Sequence, residues 1–376
     1  MSVQTEIDRI IAAVGAAYDA VEAKGGAAPA AQTIEGLAAA VGTIQTGIVP
    51  QLVVTVSAGA TVTATNGSKT ISGTSDSTGV CTLIVPEIGT WSVSATLDGK
   101  HSDTKIVTIT DSYAVEIFFA SPTLNDNEWS TIKRISDAGD GASYWSIGDR
   151  KAITLNGTVG ALTLSNVPMY AFIIGFNHNS SVEGTNCIHF QLGKTSLSGG
   201  TDVALCDSYY NNTGGGFRMN TSNTNSGGWN MSKARTELCG TSLSSYSGTI
   251  IAVIPAALRA VLKSVIKYTN NKGNSSEANA VTATTDYFFL LSEYEVFGSI
   301  TYGNTNEKSK QAQYSYYSAG NSKVKYDQRE SNKAVHWWLR SPRASNTTSF
   351  VDAYSDGKVA SNAAHYSIGF APGFCV

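Results

Sequence analysis

The sequence predicts a multidomain α+β chain: short N-terminal helices, a small β-sandwich, and a long mixed C-terminal domain. Three observations predict it. Near the start, Ile7, Ile10, Ile11, Val14, Ala17 and Val21 recur at helical spacing. Residues 50 to 120 switch to a period of two, punctuated by turn pairs. Beyond Pro122, strand-like and helix-like runs alternate with Gly-, Ser- and Asn-rich stretches. A chain of 376 residues can bury two or three cores. The predicted boundaries are 1–48, 49–121 and 122–376.

The first helix spans residues 3 to 23 and stops at Lys24-Gly25-Gly26. A second follows Thr33, with Ile34, Leu37, Ala38 and Val41 on one face and Glu35 in its first turn. Two short helices with narrow apolar stripes do not make a domain alone. The segment is therefore expected to oligomerise or to dock on a larger assembly. From residue 50, turn signals fall at Asn66-Gly67, Ser77-Thr78-Gly79, Ile88-Gly89 and Asp98-Gly99, with Trp91 in the expected core. This region resembles the immunoglobulin-like spacer modules of surface proteins, which implies an Ig-like β-sandwich acting as a spacer.

In the third region Trp129, Ile132, Ile135 and Trp145 open a new core. Ala152 to Leu155, Leu162 to Leu164 and Tyr170 to Gly175 read as strands. Residues 193 to 248 are too long for a structureless loop and should hold short elements. A helix is predicted from Pro255, burying Leu258, Val261, Leu262, Val265 and Ile266 and ending at Asn270-Asn271. Tyr287 to Ser292 reads as a buried strand.

Composition narrows the function. Only 15% of residues are charged and the net charge is −3, with no long basic run, so no nucleic-acid partner is expected. No apolar run approaches a membrane span, and MSVQTEIDRI has no signal-peptide pattern. A protein of this kind working outside a cell would leave it inside an assembled particle. The five cysteines are scattered and show no CxxC spacing, so no metal is expected on thiolates. One disulfide among Cys187, Cys206 and Cys239 is open, against buried free thiols.

Catalytic patterns are missing. There is no HExxH and no GxSxG. Gly193-Lys194-Thr195 imitates the end of a phosphate loop, but Ile188 stands where its first glycine belongs. Asp137, Asp140 and Asp149 are spaced as turn residues, not as an EF-hand loop. No catalytic residue, metal site or cofactor is expected. Paired carboxylates for glycan cleavage are not visible to a sequence reading, because such pairs lie far apart in a chain.

The terminal segment reads HWWLRSPRASNTTSFVDAYSDGKVASNAAHYSIGFAPGFCV. Trp337, Trp338, Arg340, Ser341, Pro342, Phe350, Asp356, Gly357, Gly369, Ala371, Pro372 and Phe374 resemble the pattern of C-type-lectin-like domains. Such domains end phage tail and bacterial surface proteins, especially the variable proteins diversified by retroelements. The resemblance covers roughly residues 125 to 376. It implies a receptor-binding phage tail protein, a homotrimer on the virion, anchored to tail or baseplate proteins through its N-terminal helices. Trp337, Trp338, Arg340, Gly369, Pro372 and Phe374 would be scaffold. Arg343, Ser345, Asn346, Tyr354, Asp356, Lys358, Ser361, Asn362, His365, Tyr366 and Ile368 would form the face that meets a bacterial surface receptor, protein or glycan. Tyrosine offers large contact area at low entropy cost, and Ser and Asn offer adaptable hydrogen bonds. A bacterial adhesin without diversification is the alternative, and a glycan-degrading tail enzyme a third. Sugar-binding lectins hold calcium on Glu-Pro-Asn and Trp-Asn-Asp runs; Trp229-Asn230-Met231 lacks the aspartate.

Overall fold

A computed structural model describes residues 2–44, 49–67 and 69–376. The chain is α+β and divides into two compact units, Met1–Phe119 and Ala120–Val376. Among the described residues, no helix is long and apolar enough to cross a membrane.

In the first unit, α1 (Val3–Ala23) and α2 (Ile34–Val41) form a hairpin. Ser2 and Thr33 cap the two helix starts by accepting from Thr5 N and Gly36 N. The hairpin core is small: Tyr18, Val21 and Ala40, with Val14 and Leu37 against them. Tyr18 donates its hydroxyl to Thr33 O at 2.8 Å, fastening the two helices. The N-terminal half of the apolar stripe stays outside this core, with Ile7 and Ile10 each 43% exposed.

The rest of this unit is two sheets around one core. The first sheet orders β4 (Val80–Ile84), β1 (Gln51–Thr55) and β8 (Ser112–Glu116), the last pair parallel. The second holds β3 (Lys69–Thr74), β2 (Thr61–Asn66), β5 (Gly89–Leu97), β6 (Lys100–His101) and β7 (Lys105–Ile109). Period-two burial puts Leu52, Val54, Val62, Leu83, Trp91 and Val107 inside. Trp91 donates its indole N–H to Glu87 O at 3.2 Å, so the largest core side chain carries no unpaired donor.

The second unit is built on a five-stranded antiparallel sheet. Its order is β16 (Phe288–Phe289), β23 (Gly373–Cys375), β11 (Ile188–Lys194), β10 (Leu162–Phe176) and β9 (Arg150–Val159). The two short strand predictions at 162–164 and 170–175 are one strand, β10, bulged between Leu164 and Val167 against β9. Helix α3 (Trp129–Asp137) buries Trp129, Ile132 and Ile135. Smaller sheets surround this one: β12 (Val203–Ala204) with β17 (Lys325–Asp327) and β18 (Glu330–Val335); β13 (Asn212–Thr213) with β22 (Tyr366–Ser367); β14 (Val265–Asn270) with β15 (Val281–Asp286); and β19 (Trp337–Pro342) with β20 (Ser349–Ala353) and β21 (Val359–Ala363).

Two expectations are corrected here. The helix from Pro255 is a single turn, Ala256–Arg259, and Val265 begins β14 instead. Val265, Lys267 and Thr269 are all buried, a period of two, because Lys267 and Thr269 are drawn into an interior polar network. Apolar spacing up to Val265 fits both readings; the alternation beyond it decides. The disulfide joins Cys187 to Cys375, leaving Cys206 and Cys239 as buried free thiols. Antiparallel pairing of β11 with β23 sets His189 opposite Cys375 and brings the Cα atoms of the two cysteines to 6.0 Å, ordinary disulfide spacing.

Candidate functional site

The terminal segment starts inside the protein. Every residue of β19 and of β20 is buried. Trp337 and Trp338 donate their indole N–H groups to Lys323 O at 2.8 Å and Phe217 O at 2.9 Å. Phe374, in β23, stacks on Phe190 at 5.3 Å. Gly369 is buried against His336 and Ala204; a Cβ there would collide with the His336 carbonyl.

Arg340 anchors the interior network. Its guanidinium pairs with both Glu295 oxygens, and its Nε donates to Thr269 Oγ1 at 2.8 Å. Lys267 Nζ donates to Glu183 at 2.5 Å, to Glu295 at 3.1 Å and to the Tyr314 hydroxyl at 2.8 Å. Burial would raise the Glu295 carboxyl, but Arg340 and Lys267 outweigh it and hold it well below the usual range. Burial pushes Glu183 up to about 7 against the pull of Lys267, and Glu307 up to about 7. It pushes His178 down to about 3, so that imidazole stays neutral. His178, Glu183 and Glu295 bring ligand atoms within 4.8 Å of one another. The Lys267 ammonium pairs with both carboxylates of this group, so they already carry a positive partner.

The side chains between the frame residues lie differently. Tyr354 is 44% exposed, and Ser345, Asp356 and Lys358 are exposed as well. Arg343, Asn346, Ser361, Asn362, His365 and Tyr366 are half-buried. Ile368 is corrected: it is fully buried and does not belong to any face. It lies in the closing run Ser367 to Phe370, whose backbone bonds inward to Phe217, His336 and Leu205.

Two loops organise the face. In the first, Asn346 Oδ1 accepts from Thr348 N at 3.1 Å and Ser349 N at 3.0 Å. Arg343 donates to Ser345 Oγ at 3.1 Å and Ser361 Oγ at 3.0 Å, and its guanidinium lies 5.0 Å from the Tyr302 ring centre. In the second, between β20 and β21, Tyr354 N donates to Lys358 O at 2.7 Å. Gly357 takes a positive φ of 83°, which a residue with a Cβ rarely adopts. Asp356 pairs with Lys358 at 2.7 Å, which lowers the carboxyl and raises the amine. The Tyr354 ring stands edge-on to His336 at 4.0 Å, and His336 Nδ1 bonds Asp352 at 2.8 Å. Burial raises the Asp352 carboxyl, with His336 opposing. His365 and Tyr366 lie 4.8 Å apart, ring to ring.

Sequence reasoning missed the residue that holds the first loop. Asn225, 1% exposed, donates Nδ2 to Arg343 O at 3.0 Å and to Asn346 O and Ser349 O, each at 2.9 Å. It also missed Tyr302 and the His336–Asp352 pair. Nothing local marks these residues, since their partners lie far away or are backbone atoms. Chemically, the face offers aromatic edges, amides, hydroxyls, the Arg343 guanidinium and the paired charges of Asp356 and Lys358. That inventory suits contact with a partner.

Residues 203–376 match a family described as a domain of unknown function (DUF6273). No curated protein matches the chain. The matched span includes the whole terminal segment, Asn225 and, of the interior network, Lys267, Glu295, Glu307, Tyr314 and Arg340, but not His178 or Glu183; it begins after β9, β10 and β11.

Proposed function

We propose that this chain is a non-enzymatic receptor-binding protein of a phage tail, and that its terminal face selects a bacterial surface receptor. In this reading the second unit is C-type-lectin-like and resembles retroelement-diversified variable proteins, and the two-sheet module is an Ig-like spacer. One observation carries it: polar and aromatic side chains cluster on two loops, one between the fully buried β19 and β20 and one leading from β20 to the half-buried β21. Loops on a rigid frame are where binding surfaces evolve at little cost to the fold. The partly exposed stripe of α1, Val3, Ile7, Ile10 and Val14, runs at alternating spacings of four and three, the heptad interval. It supports attachment and a homotrimer at the tail. The protein acts outside the host cell, on the virion.

The test is adhesion of the full chain to host cells, comparing wild type with Tyr354→Ala plus Tyr366→Ala. Adhesion should fall at least tenfold while the melting temperature moves by only a few degrees. Unchanged adhesion would sink the face assignment, and a collapse in melting temperature would mean that these rings are core. Sedimentation of the same preparation should give three chains; a monomer removes the assembly part of the reading. A near-copy of the terminal coding segment beside a reverse transcriptase gene favours diversification over an undiversified adhesin. New reducing ends released from host glycan would favour the enzyme reading instead.

A further inference from the structure

A second site lies in the same unit, lined by none of the residues assigned to the face. A cavity of about 550 Å³ opens between the β9–β10 turn and the loops around 214–218 and 233–249, lined by Gly160, Gly214, Arg218, Lys233, Ser247 and Thr249 among others. The volume lies within the ordinary range for small-ligand sites. Its wall is made by close backbone approach: a Cβ on Gly216 would run into the Ala161 nitrogen. That leaves backbone, hydroxyls and charges facing the space, beside a nearly comparable apolar surface.

The charges are unevenly matched. Lys233 pairs with Glu237 at 3.0 Å, and both line the cavity. Arg218 has no ion pair among the described residues. Its Nε is buried without a hydrogen-bond partner, and its Nη1 reaches only Thr221 O, at 3.5 Å. A guanidinium stays charged at any physiological pH and presents a planar fork that a carboxylate satisfies with two parallel bonds. Leaving a buried donor unpaired costs free energy, and a ligand that paired it would recover that cost. The cavity is larger than a bare oxyanion needs, and Thr236, Ser245 and Ser247 around it offer hydroxyls that pair with hydroxyls.

We propose that this cavity binds an acidic sugar unit, its carboxylate on Arg218 and its ring hydroxyls on the serine and threonine wall. The proposal goes beyond the receptor face and does not depend on it, because none of the face residues lines the cavity. Calorimetric titration of the full chain tests it, with glucuronate, galacturonate and N-acetylneuraminate as probes and glucose and sodium sulfate as controls. At least one acidic sugar should bind at least tenfold tighter than glucose or sulfate. Arg218→Gln should weaken that binding at least tenfold with the melting temperature unchanged. Ser247→Trp, which fills the cavity and keeps the charge, should do the same and stands in if the first variant misfolds. No acidic sugar binding, binding no tighter than glucose, or affinity unchanged in both variants overturns the proposal. Sulfate binding as tightly as the sugars overturns the sugar assignment. Host adhesion is a separate readout, so failure of either reading leaves the other standing.

Discussion

Residues 337–342 and 343–348 are adjacent in sequence and opposite in role. The first run is buried at every position; the second is fully buried at none. The same contrast repeats one strand later, between β20, wholly buried, and β21, half-buried throughout. Indoles and Arg340 meet the interior, and the loops between add side chains that bond one another or reach near neighbours such as Ser361, Tyr302 and His336. A surface built this way can change residue by residue, because each loop side chain has few obligations to the core. The lesson is that a face of this kind is defined by what it does not support.

The comparison breaks first at Arg340. Arg340→Met removes one partner of a buried ion pair and leaves Glu295 facing Lys267 alone. The expected loss is about 3–5 kcal/mol, read from denaturant unfolding, because a buried charge is left undercompensated. Adding Glu295→Gln should recover part of it. A loss under about 1 kcal/mol would mean that the network is incidental to the frame.

Glu307 sharpens the same point through pH. It accepts from Asn270 N at 2.9 Å and from Ser341 Oγ at 2.7 Å, beside Arg340 in sequence, and burial raises its carboxyl from 4.5 to about 7. A raised carboxyl means that the unfolded chain loses its proton first, so this group's contribution to stability falls as pH rises from 4.5 through about 7. Glu307→Gln abolishes that titration. Relative to wild type, the variant should gain about 2–3 kcal/mol between pH 4 and pH 8. The difference between the two pH values cancels any fixed cost of the amide. A difference of zero would place Glu307 in a wetter site than its burial indicates.

How much of this was legible varies with the range of the interactions. Period-two burial in β1, β2, β4 and β5 and the helical stripe of α1 are local patterns, and residues 51–97 and 3–23 show them directly. The aromatic run of β19 announces a core wherever it falls. The Pro255 region misleads because Leu258, Val261, Leu262 and Val265 fit a helix until Lys267 and Thr269 are found buried on one side of a strand. Cys187 meets Cys375 across 188 residues, a pairing that strand order decides and spacing does not. Ile368 lies within a polar stretch, yet Ala364 and Ser367 beside it are buried too, so the face ends earlier than composition implies. Arg340 is recognisable as scaffold; its partner Glu295 is not, because they meet only after folding.

The smallest effect belongs to the contact that joins the two regions. Asn225 reaches three carbonyls of the 343–349 loop with one amide nitrogen, at 2.9 to 3.0 Å, from a buried position far away in sequence. Asn225→Ala should cost about 1–2 kcal/mol, less than the Arg340 change, because loop carbonyls freed near the surface can turn to water. Its effect should also be local. Amide exchange should quicken at Arg343, Thr348 and Ser349, whose N–H groups close the loop, while Trp338 and the interior of β20 stay protected. If β20 exchanges faster by the same factor, loop and frame open together, and the loop is part of the fold. If only the loop responds, Asn225 is a staple that sets the shape of the face without adding to the frame, and residues 343–348 can vary only in ways that keep those three carbonyls in reach.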